Sequence, residues 1–400
     1  MKVAIMGYGT IGSGVAEILQ VNKEQIKAKA GTALELKYIL DLRDFPGDPN
    51  EDKLVKDYKK IADDKDVKIV VETMGGVEPA FTFVKAMLET GKAVCTSNKA
   101  LVADKGAELL AIAKKNKTNF FFEASVGGGI PIIRTLQTAL TGDVVEEITG
   151  ILNGTTNFML TAMAENGAKY ADVLKEAQRL GYAEKDPTAD VEGFDSCRKI
   201  AILTSLIAGQ QVDFNDVSTE GITKITPLDM EYAAKVGYSI KLLATSKKVG
   251  DAYSLLVAPF FVSKSHPLYT VNGVFNSVFV KGNMLGDSMF YGSGAGKLPT
   301  ASAVVADMVC AAIHDGKNIE LKWEAKKMEL ADHLDQKYRF FVRSKAPEGI
   351  IERVFENSEY VDIDTDDEAG FITTCMTERE FNERARALGQ IITTIRIAES

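Results

Sequence analysis

Short apolar runs alternate with longer helical patterns through the first 125 residues of the chain. The apolar runs lie at 2–6, 34–44, 67–76, 93–98 and 118–125, and the helical patterns between them span 11–29, 78–90 and 100–116. Strand–helix alternation at this spacing predicts right-handed βαβ units, because parallel strands need crossover connections. We therefore predict an α/β fold class with a Rossmann-type, doubly wound parallel sheet.

The first apolar run ends in the glycine cluster GYGTIG, which matches the pattern GxGxxG between a strand and a helix. Gly7 permits the tight turn, Gly9 lets the backbone approach a pyrophosphate, and Gly12 allows close packing of helix on strand. A simple glycine-rich turn would look similar. The strand–helix context favours dinucleotide binding, with the phosphates at the helix N-terminus.

The end of the second apolar run bears on the choice between NAD and NADP. It reads Asp41-Leu42-Arg43-Asp44. An acid there would bind the ribose hydroxyls of NAD, whereas an arginine would clamp the 2′-phosphate of NADP. Both residue types are present, and either could simply face solvent. Arg43 favours NADP, while use of both cofactors stays open.

Two further segments, VETMGG (71–76) and TSNKALV (96–102), each follow a predicted strand. They are therefore expected at the carboxyl edge of the sheet, where ligands of such folds bind. Lys99 lies at a strand-to-helix turn, where the helix dipole disfavours a cation. Lys99 could simply be an exposed lysine in the first turn of the helix. The unfavourable interaction with the helix dipole instead favours a role for Lys99 in a functional site.

Composition and charge exclude several classes of protein. A net charge of −9 and a pI near 5.2 argue against nucleic acid or an anionic membrane as a partner. The four cysteines are far apart, with no CxxC and no Cys/His spacing, which indicates a reducing compartment and no zinc site. The N-terminus lacks the pattern of a signal peptide, and no apolar stretch approaches the length of a membrane span. These features predict a cytoplasmic protein.

The pattern changes after residue 130. A dinucleotide-binding domain is predicted over 1–130, together with a helix over about 297–318. Residues 131–296 mix helices with β-rich segments and predict an α+β domain, in which 144–160 reads as a strand interrupted at Asn153–Gly154. Residues 319–336 read as a linker. The tail over 337–400 has the order strand, helix, two strands, helix, strand.

The segment EASVGGGIP (123–131) combines Glu123 with several carbonyl groups in a glycine-rich bend. Hard cations take oxygen ligands of this kind. A plain turn between domains would have the same composition, and the spacing alone favours the turn.

The stretch LGYAEKDPTADVEGFDSCRKIAIL crowds acidic residues before a lysine. Asp186–Pro187 signals a turn, and Asp190 can cap the segment after it. Asp195 and Lys199 lie at i and i+4, and hence on one face of the next helix. The residues after Lys199 are nearly all apolar, so this helix should be buried, where an ion pair adds little stability. An ordinary surface pair is the alternative, but a buried acid–lysine pair suits proton transfer.

Five blocks together resemble the homoserine dehydrogenase family, in the family's order and over about residues 3–310. They are TSNKALV, FEASVGGGIPII, GILNGTTNFML, GYAEKDPTADVEGFDSCRK and GSGAGKLPTASAVVAD, of which the fourth is highly specific. The resemblance implies NAD(P)H-dependent interconversion of L-aspartate 4-semialdehyde and L-homoserine, in threonine, methionine and isoleucine biosynthesis. The tail resembles an ACT domain, a small regulatory module, for which threonine is a candidate ligand.

The resemblance also implies roles for individual residues. Lys199 corresponds to the proton donor, and Lys99 and Asp195 to further catalytic residues. The substrate-binding residues it implies are Gly181, Tyr182, Glu184, Asp190, Asp195 and Lys199. The cofactor-binding residues are Gly7, Gly9, Thr10, Ile11, Gly12, Arg43, Thr73, Gly75, Ser97, Lys99, Gly294 and Gly296. A structural sodium ion is implied at Glu123 and the carbonyls of Val126, Gly128 and Ile130.

Ser97, Ser293 and Lys297 depart from the family pattern, which bears on the geometry of the cofactor site rather than on the reaction. The resemblance further implies catalysis and dimerisation by residues 131–296, and a homo-oligomer that is a dimer or a tetramer. Two alternatives stay open: a catalytically inactive NAD(P)-binding amino-acid sensor, and a related enzyme acting on another amino-acid aldehyde.

Overall fold

The computed structural model describes residues 1–365 and 367–398 of the chain. Contacts between residues divide the chain into two compact units. The first unit comprises Met1–Val144, Ala201–Phe214 and Phe290–Met328, and the second comprises Val145–Ile200, Asn215–Met289 and Glu329–Ser400. The domain limits expected from the sequence stay predictions.

Strands and helices are numbered along the chain. The strands are β1 Lys2–Met6, β2 Glu35–Leu40, β3 Leu54–Val55, β4 Val67–Glu72, β5 Ala93–Thr96, β6 Phe120–Phe121, β7 Val145–Ile151, β8 Gln210–Gln211, β9 Ser218–Thr219, β10 Tyr238–Val249, β11 Ala252–Ser263, β12 Phe275–Gly282, β13 Gly286–Ser293, β14 Glu324–Lys327, β15 Lys337–Tyr338, β16 Phe340–Ser344, β17 Glu359–Val361, β18 Ala369–Ile372, β19 Met376–Thr377 and β20 Ile391–Ala398. The α-helices are α1 Thr10–Val21, α2 Lys23–Ala30, α3 Lys59–Ala62, α4 Ala80–Glu89, α5 Lys99–Lys115, α6 Gly154–Asn166, α7 Tyr170–Arg179, α8 Thr188–Val191, α9 Phe194–Ala208, α10 Pro227–Lys235, α11 Lys297–Ile313, α12 Glu348–Val354 and α13 Glu378–Leu388. Within residues 1–365 and 367–398, no helix is both long and apolar enough to span a bilayer.

The first unit is built on a six-stranded sheet with the order β3-β2-β1-β4-β5-β6. All of its strand pairs are parallel. β4 is buried at five of its six positions and β5 along its whole length, as expected for parallel strands covered on both faces. α11 packs on α1 and adds its apolar residues to the core on that side of the sheet. The predicted doubly wound parallel sheet is confirmed.

The second unit is organised around a long antiparallel hairpin in which β10 pairs with β11 over twelve residues each. β7 and β12 extend the sheet beyond β10, and β20, β16, β18 and β17 extend it beyond β11. β20 lies parallel to β11, with Phe260 opposite Arg396. The strands of the tail therefore continue the sheet of the middle segment, and an aromatic-rich core lies on that sheet.

The tail shows the predicted order of elements, namely β16, α12, β17, β18, α13 and β20. Two short strands, β15 and β19, pair with each other in addition. α13 begins with a capping box formed by Thr377 and Glu380, a feature that fixes helix starts locally. The identification of this tail as an ACT-like regulatory module stays a prediction.

The structure corrects three local predictions. Residues 144–160 are not one interrupted strand, because β7 ends at Ile151 and the Asn153 side chain caps α6 by accepting a hydrogen bond from Thr156 N. The helix predicted over 11–29 breaks at Asn22 into α1 and α2. Part of the predicted linker forms β14, which pairs with β8.

The close contact between β18 and α10 generates a prediction about stability. A Cβ atom at Gly370 would lie 2.2 Å from Cε1 of the buried Tyr232. Gly370→Ala should therefore lower the free energy of unfolding by about 1–3 kcal/mol through overpacking. Chemical unfolding followed by circular dichroism measures this change. Gly349→Ala is the control, since its Cβ meets nothing within 4 Å, and equal stability of the two variants would contradict the prediction.

Candidate functional site

The glycine-rich loop between β1 and α1 is shaped by close backbone contacts. Gly7 adopts φ +94°, and a Cβ at Gly12 would lie 2.0 Å from the Gly7 carbonyl oxygen. Thr73 Oγ1 donates a hydrogen bond of 2.7 Å to that same carbonyl. A Cβ at Gly9, in contrast, would meet only Arg43 Nη2 at 4.0 Å. The space in front of Gly9 is thus open to a ligand, as the approach of a pyrophosphate requires.

A cavity of about 440 Å³ opens beside this loop. Its lining includes two of the loop glycines, the end of β2 and the residues after β4: Gly7, Gly9, Asp41, Arg43, Thr73 and Met74. This volume lies in the range of small-molecule and cofactor sites. The residues present therefore fit a dinucleotide.

Asp41 and Arg43 form a bidentate salt bridge at the rim of the cavity. Arg43 Nε and Nη2 donate to Asp41 Oδ1 and Oδ2 at 3.0 and 2.9 Å, and Tyr8 N donates to Oδ2 at 2.8 Å. The Arg43 guanidinium holds the pKa of the Asp41 carboxyl well below its usual range. The sequence analysis treated Asp41 and Arg43 as alternative ligands for the ribose of the cofactor, whereas in the structure the two side chains form a salt bridge.

Glu72 organises the carboxyl edge of the sheet, and sequence reasoning had not singled it out. Its carboxylate is fully buried and accepts hydrogen bonds from Met74 N at 2.7 Å and Thr96 Oγ1 at 2.6 Å. Burial raises the pKa of this carboxyl. The signal available was an acid at the end of an apolar strand directly before a glycine-containing turn. Gly75 and Ser97, two predicted cofactor contacts, also make hydrogen bonds to Glu72.

Lys99 is the first residue of α5, as the sequence predicted. The preceding residue, Asn98, caps the helix by accepting from Leu101 N at 3.1 Å and donates to Gly76 O at 2.6 Å. The start of α5 is therefore fixed against the loop after β4. This loop carries Thr73 and Gly75, so Lys99 lies on an element attached to the predicted cofactor residues.

The bend after Glu123 requires glycine, because its backbone conformation and its close contacts leave no room for a side chain. Gly128 adopts φ +56°, and a Cβ there would lie 2.4 Å from Gly294 O. Both carboxylate oxygens of Glu123 accept backbone hydrogen bonds, from Ile133 N and Arg134 N, at 2.8 Å each. Burial raises the pKa of Glu123. This carboxylate therefore already stabilises the chain beyond the bend.

The predicted sodium ligands lie in this same bend. Val126 and Ile130 are buried, and Ile130 O accepts a hydrogen bond from Ile132 N. In the described part of the chain, no group of three or more His, Cys, Asp or Glu side chains is arranged to hold a metal ion. A cation here would therefore depend mainly on backbone carbonyls.

Gly294 and Gly296 lie in the loop between β13 and α11. Gly296 adopts φ +124° and precedes the first residue of α11. Two of the three departures from the family pattern, Ser293 and Lys297, also lie here. Ser293 O accepts a hydrogen bond from Gly129 N, and Lys297 Nζ pairs with Glu17 of α1 at 2.6 Å. Both residues act through contacts within the first unit.

Lys199 and Asp195 form the predicted buried pair on α9. Lys199 Nζ donates to Asp195 Oδ2 and to Leu152 O, both at 2.7 Å. Asp195 is 3% exposed and Lys199 8% exposed. Asn153 Nδ2 donates to Asp195 Oδ2 at 2.9 Å and to Asp190 Oδ1 at 2.7 Å. The structure thus brings three predicted site residues into one hydrogen-bonded network.

Asn153 belongs to this hydrogen-bonded network, although the sequence analysis did not predict it as a site residue. It caps α6 through Oδ1 and links two carboxylates through Nδ2. The segment Asn153-Gly-Thr-Thr contained the signal, because asparagine before a helical pattern is a preferred N-cap. Asp190, predicted as a cap, instead belongs to α8 and accepts from Asn153.

The remaining predicted substrate residues lie on the turn before α8. Gly181, Tyr182 and Glu184 are exposed, and the Tyr182 ring packs edge-on against Phe158 at 5.0 Å between centroids. Asp186 forms the predicted turn, with its carboxylate accepting from Thr188 N at 3.1 Å. Exposed polar groups are available to a ligand, and the roles of these residues stay predictions.

The parallel sheet with its glycine loop and open cavity defines a dinucleotide-binding α/β protein, and the second unit adds a buried acid–lysine pair. Two family models match the chain: "Homoserine dehydrogenase, NAD binding domain" over residues 7–123 and "Homoserine dehydrogenase" over 131–309. Together they cover most of the chain up to the start of the tail. The chain belongs to the homoserine dehydrogenase family.

Known relatives agree with this assignment. A homoserine dehydrogenase of Bacillus subtilis is 43% identical over 316 residues, which cover 77% of this chain and 72% of that protein. One of Mycobacterium tuberculosis is 45% identical over 317 residues, covering 78% and 72%. The crystal structure of a homoserine dehydrogenase from Thiobacillus denitrificans superposes with a TM-score of 0.91 at 33% identity, covering 100% of this chain and 98% of that one.

A hyperthermophilic archaeal homoserine dehydrogenase in complex with NADPH is also similar, with a TM-score of 0.66 at 28% identity, covering 78% of this chain and 97% of that one. The chain is accordingly an NAD(P)-dependent oxidoreductase of amino-acid biosynthesis, and its substrates are L-aspartate 4-semialdehyde and L-homoserine. The two alternatives, an inactive sensor and an enzyme for another aldehyde, are set aside by this membership.

The network predicts a specific effect of Asn153→Ala. Loss of the cap should cost about 0.5–2 kcal/mol of stability. Loss of both Nδ2 contacts should misplace the Asp195–Lys199 pair and lower kcat by about 10- to 100-fold. Thr377→Ala is the matched control, since it removes the N-cap of α13. Steady-state kinetics and thermal unfolding of both variants test this, and equal kcat values would show that Asn153 acts only as a cap.

Proposed function

We propose that Lys199 is the proton donor when L-aspartate 4-semialdehyde is reduced, and the acceptor in the reverse direction. This proposal is based on the position of the Lys199 ammonium. Its Nζ atom donates hydrogen bonds of 2.7 Å to both Asp195 Oδ2 and Leu152 O. A nicotinamide cofactor, when bound, would supply the hydride for the aldehyde carbon. Lys199 then donates its proton to the developing alkoxide, where positioned cations give the strongest stabilisation.

Asp195 orients the lysine. The pair spans i and i+4 of α9, so helix geometry keeps the two side chains adjacent. Asp190, Asp195 and Glu184, with Gly181 and Tyr182, are proposed to bind the substrate's ammonium and hydroxyl groups. This proposal is supported by the concentration of carboxylates around one buried ammonium, which complements a zwitterionic substrate. Lys99 is proposed as a second cation for the alkoxide.

NADP is proposed as the preferred cofactor. Arg43 lies at the cavity rim, and Lys56, which also lines the cavity, donates from Nζ to Arg43 O at 2.8 Å. Two cations beside one cavity suit a 2′-phosphate, whose oxygens take charge-assisted hydrogen bonds. The Asp41 carboxylate is already engaged by Arg43. The proposed cofactor contacts also include Gly7, Gly9, Thr10, Ile11, Gly12, Thr73, Gly75, Ser97, Gly294 and Gly296.

Three further proposals come from the family. A sodium ion is proposed at Glu123 and the carbonyls of Val126, Gly128 and Ile130, supported by the carbonyl-rich bend and by the preference of hard cations for oxygen. Feedback regulation by threonine through the tail is proposed because the tail carries the βαββαβ order of small regulatory modules. A homo-oligomer, dimer or tetramer, is proposed for the assembly.

The role of Lys199 predicts a loss of turnover. Lys199→Ala should lower kcat by about 10²- to 10⁴-fold, the usual contribution of a positioned acid–base group. NADPH oxidation followed by absorbance measures kcat, and the dissociation constant of NADPH should change little. Lys241→Ala is the control, since Lys241 is also buried, with Nζ donating to Val271 O at 2.6 Å. A folded Lys199→Ala variant with wild-type turnover would overturn the assignment.

Cofactor preference is tested at Arg43. Arg43→Ala should raise KM for NADPH by about 10- to 100-fold through loss of charge-assisted hydrogen bonds, and should change KM for NADH less than about threefold. Arg179→Ala is a matched control, because Arg179 is an exposed arginine paired with Glu176 on α7. A parallel rise in KM for both cofactors would show that Arg43 only supports the fold of the loop.

A further inference from the structure

A second cavity lies at the amino edge of the parallel sheet in the first unit, where β4 and β5 begin. Its volume is about 510 Å³, which lies in the range of small-molecule sites. The lining comes from the loop between α3 and β4, the start of β4 and the turn between α4 and β5. The charged residues of this lining are Asp63, Lys65, Lys68 and Lys92. Three cations at one cavity indicate a site for an anion.

Lys92 is the buried cation of this cavity. It lies directly before β5 and is 4% exposed. Within residues 1–365 and 367–398 its ammonium makes no hydrogen bond and no ion pair. Burial lowers the pKa of this ammonium; the charge of Asp64 opposes the shift and that of Lys68 adds to it. Buried lysines are normally paired, because an unpaired charge is costly to remove from water. The cavity is therefore the place where an anion would pair with Lys92.

Lys68 lies beside Lys92 in the sheet. Ile69 of β4 pairs with Ala93 of β5, so the residues that precede these two lie at the same level of neighbouring strands. Neighbouring strands are about 4.8 Å apart. Like charges at adjacent positions of a sheet are unfavourable. An anion bound between the two ammonium groups would replace this repulsion by attraction.

The cations of the lining outnumber its carboxylates. Lys65 and Lys68 are exposed, and neither side chain makes an ion pair or a hydrogen bond with a residue that the structure describes. Asp63 is the acid of the lining, while the carboxylate of its neighbour Asp64 pairs with Lys37 at 2.6 Å. The lining therefore has a formal charge of +2. A dianion would neutralise this charge.

We propose that this cavity binds a small soluble molecule that carries a phosphate group. A phosphate monoester carries a charge of about −1.5 to −2 at neutral pH, which matches the charge of the lining. Its oxygens would accept hydrogen bonds from Lys65, Lys68 and Lys92, since ammonium groups are common phosphate ligands. A concave site on a chain with a net charge of −9 favours a small molecule over nucleic acid.

This cavity is separate from the cofactor site. The glycine-rich loop and Thr73 follow the carboxyl ends of β1 and β4, whereas Lys68 and Lys92 lie where β4 and β5 begin. β4 has six residues, so the two edges are about 20 Å apart at roughly 3.3 Å per residue. The phosphates of a bound dinucleotide would lie at the carboxyl edge. Binding at the amino edge is therefore expected to persist when the cofactor site is filled.

Isothermal titration calorimetry on the full chain saturated with NADP⁺ tests the proposal, with inorganic phosphate and glycerol 3-phosphate as probes. We expect saturable binding of both. Acetate, a monoanion, should bind at least tenfold more weakly at the same ionic strength. Failure of both phosphates to bind, or equal binding of acetate, would overturn the proposal. Binding that NADP⁺ abolishes would place the phosphate in the cofactor site, and binding to phosphatidic acid vesicles alone would indicate a membrane surface; either result would also overturn it.

Variants locate the bound phosphate. Lys68→Ala should raise the dissociation constant of inorganic phosphate about threefold and Lys92→Met about tenfold, because a charge-assisted hydrogen bond contributes more at the buried position. Lys326→Ala is the control and should change this constant less than twofold, since Lys326 is an exposed lysine of β14 outside the cavity lining. Equal effects of the three substitutions would contradict the assignment.

Thermal unfolding separates phosphate binding from a purely structural role of Lys92. Lys92→Met keeps the aliphatic part of the side chain and removes the charge, so without phosphate its Tm should equal or exceed that of the wild type. Phosphate should raise the Tm of the wild type by binding the native state, and should raise that of the variant less. A variant that is less stable than the wild type without phosphate, and that phosphate stabilises equally, would show that Lys92 is only structural and would overturn the proposal.

Discussion

The proposed catalytic role of the second unit depends on the ammonium group of Lys199, which is buried beside Asp195. Burial of an ion pair costs several kcal/mol in desolvation, which the mutual attraction offsets only if the remaining hydrogen-bonding groups are satisfied. Here the partners come from separate elements: Asp195 from α9 itself, Leu152 O from the end of β7 and Asn153 from the start of α6. The packing of these elements therefore sets the position of Lys199 Nζ, the proposed proton donor, and a shift of any of them would move a group that surrounds this atom.

The first unit uses carboxylates in two different ways at the edge of its sheet. Glu72 is fully buried and bonded to neutral donors, so desolvation dominates and its pKa is raised. Asp41 faces Arg43 at the cavity rim, and the guanidinium lowers its pKa instead. The difference comes from the partners rather than from the residue type. Glu72 links the loops after β4 and β5 through its hydrogen bonds, whereas Asp41 fixes the position of the arginine at the cavity rim.

The sequence predicted those features that are determined by residues close together in the chain. Apolar periodicity located the sheet of the first unit, GxGxxG located the loop at Gly7, and an i, i+4 spacing identified the Asp195–Lys199 pair. It failed where a side chain meets a partner distant in sequence. Asn153 was read as a break in a strand, since its links to two carboxylates some 40 residues onward leave no trace in local pattern. The contact of Gly370 with Tyr232 and the pairing of β20 with β11 are equally non-local.

The attachment of the tail limits how it could regulate the enzyme. Arg396 of β20 is buried and forms ion pairs with Glu378 of α13 and Glu220. Removing Arg396 would leave the buried Glu378 carboxylate without its cation, which is costly. Because β20 also lies in the ladder beside β11, detachment of the tail would break backbone hydrogen bonds as well as these pairs. Regulation by dissociation of the tail would thus need a large free energy, whereas a small shift of shared strands needs little. Regulation of the kind proposed for the tail would therefore pass more readily through small shifts of the shared sheet than through detachment of the tail.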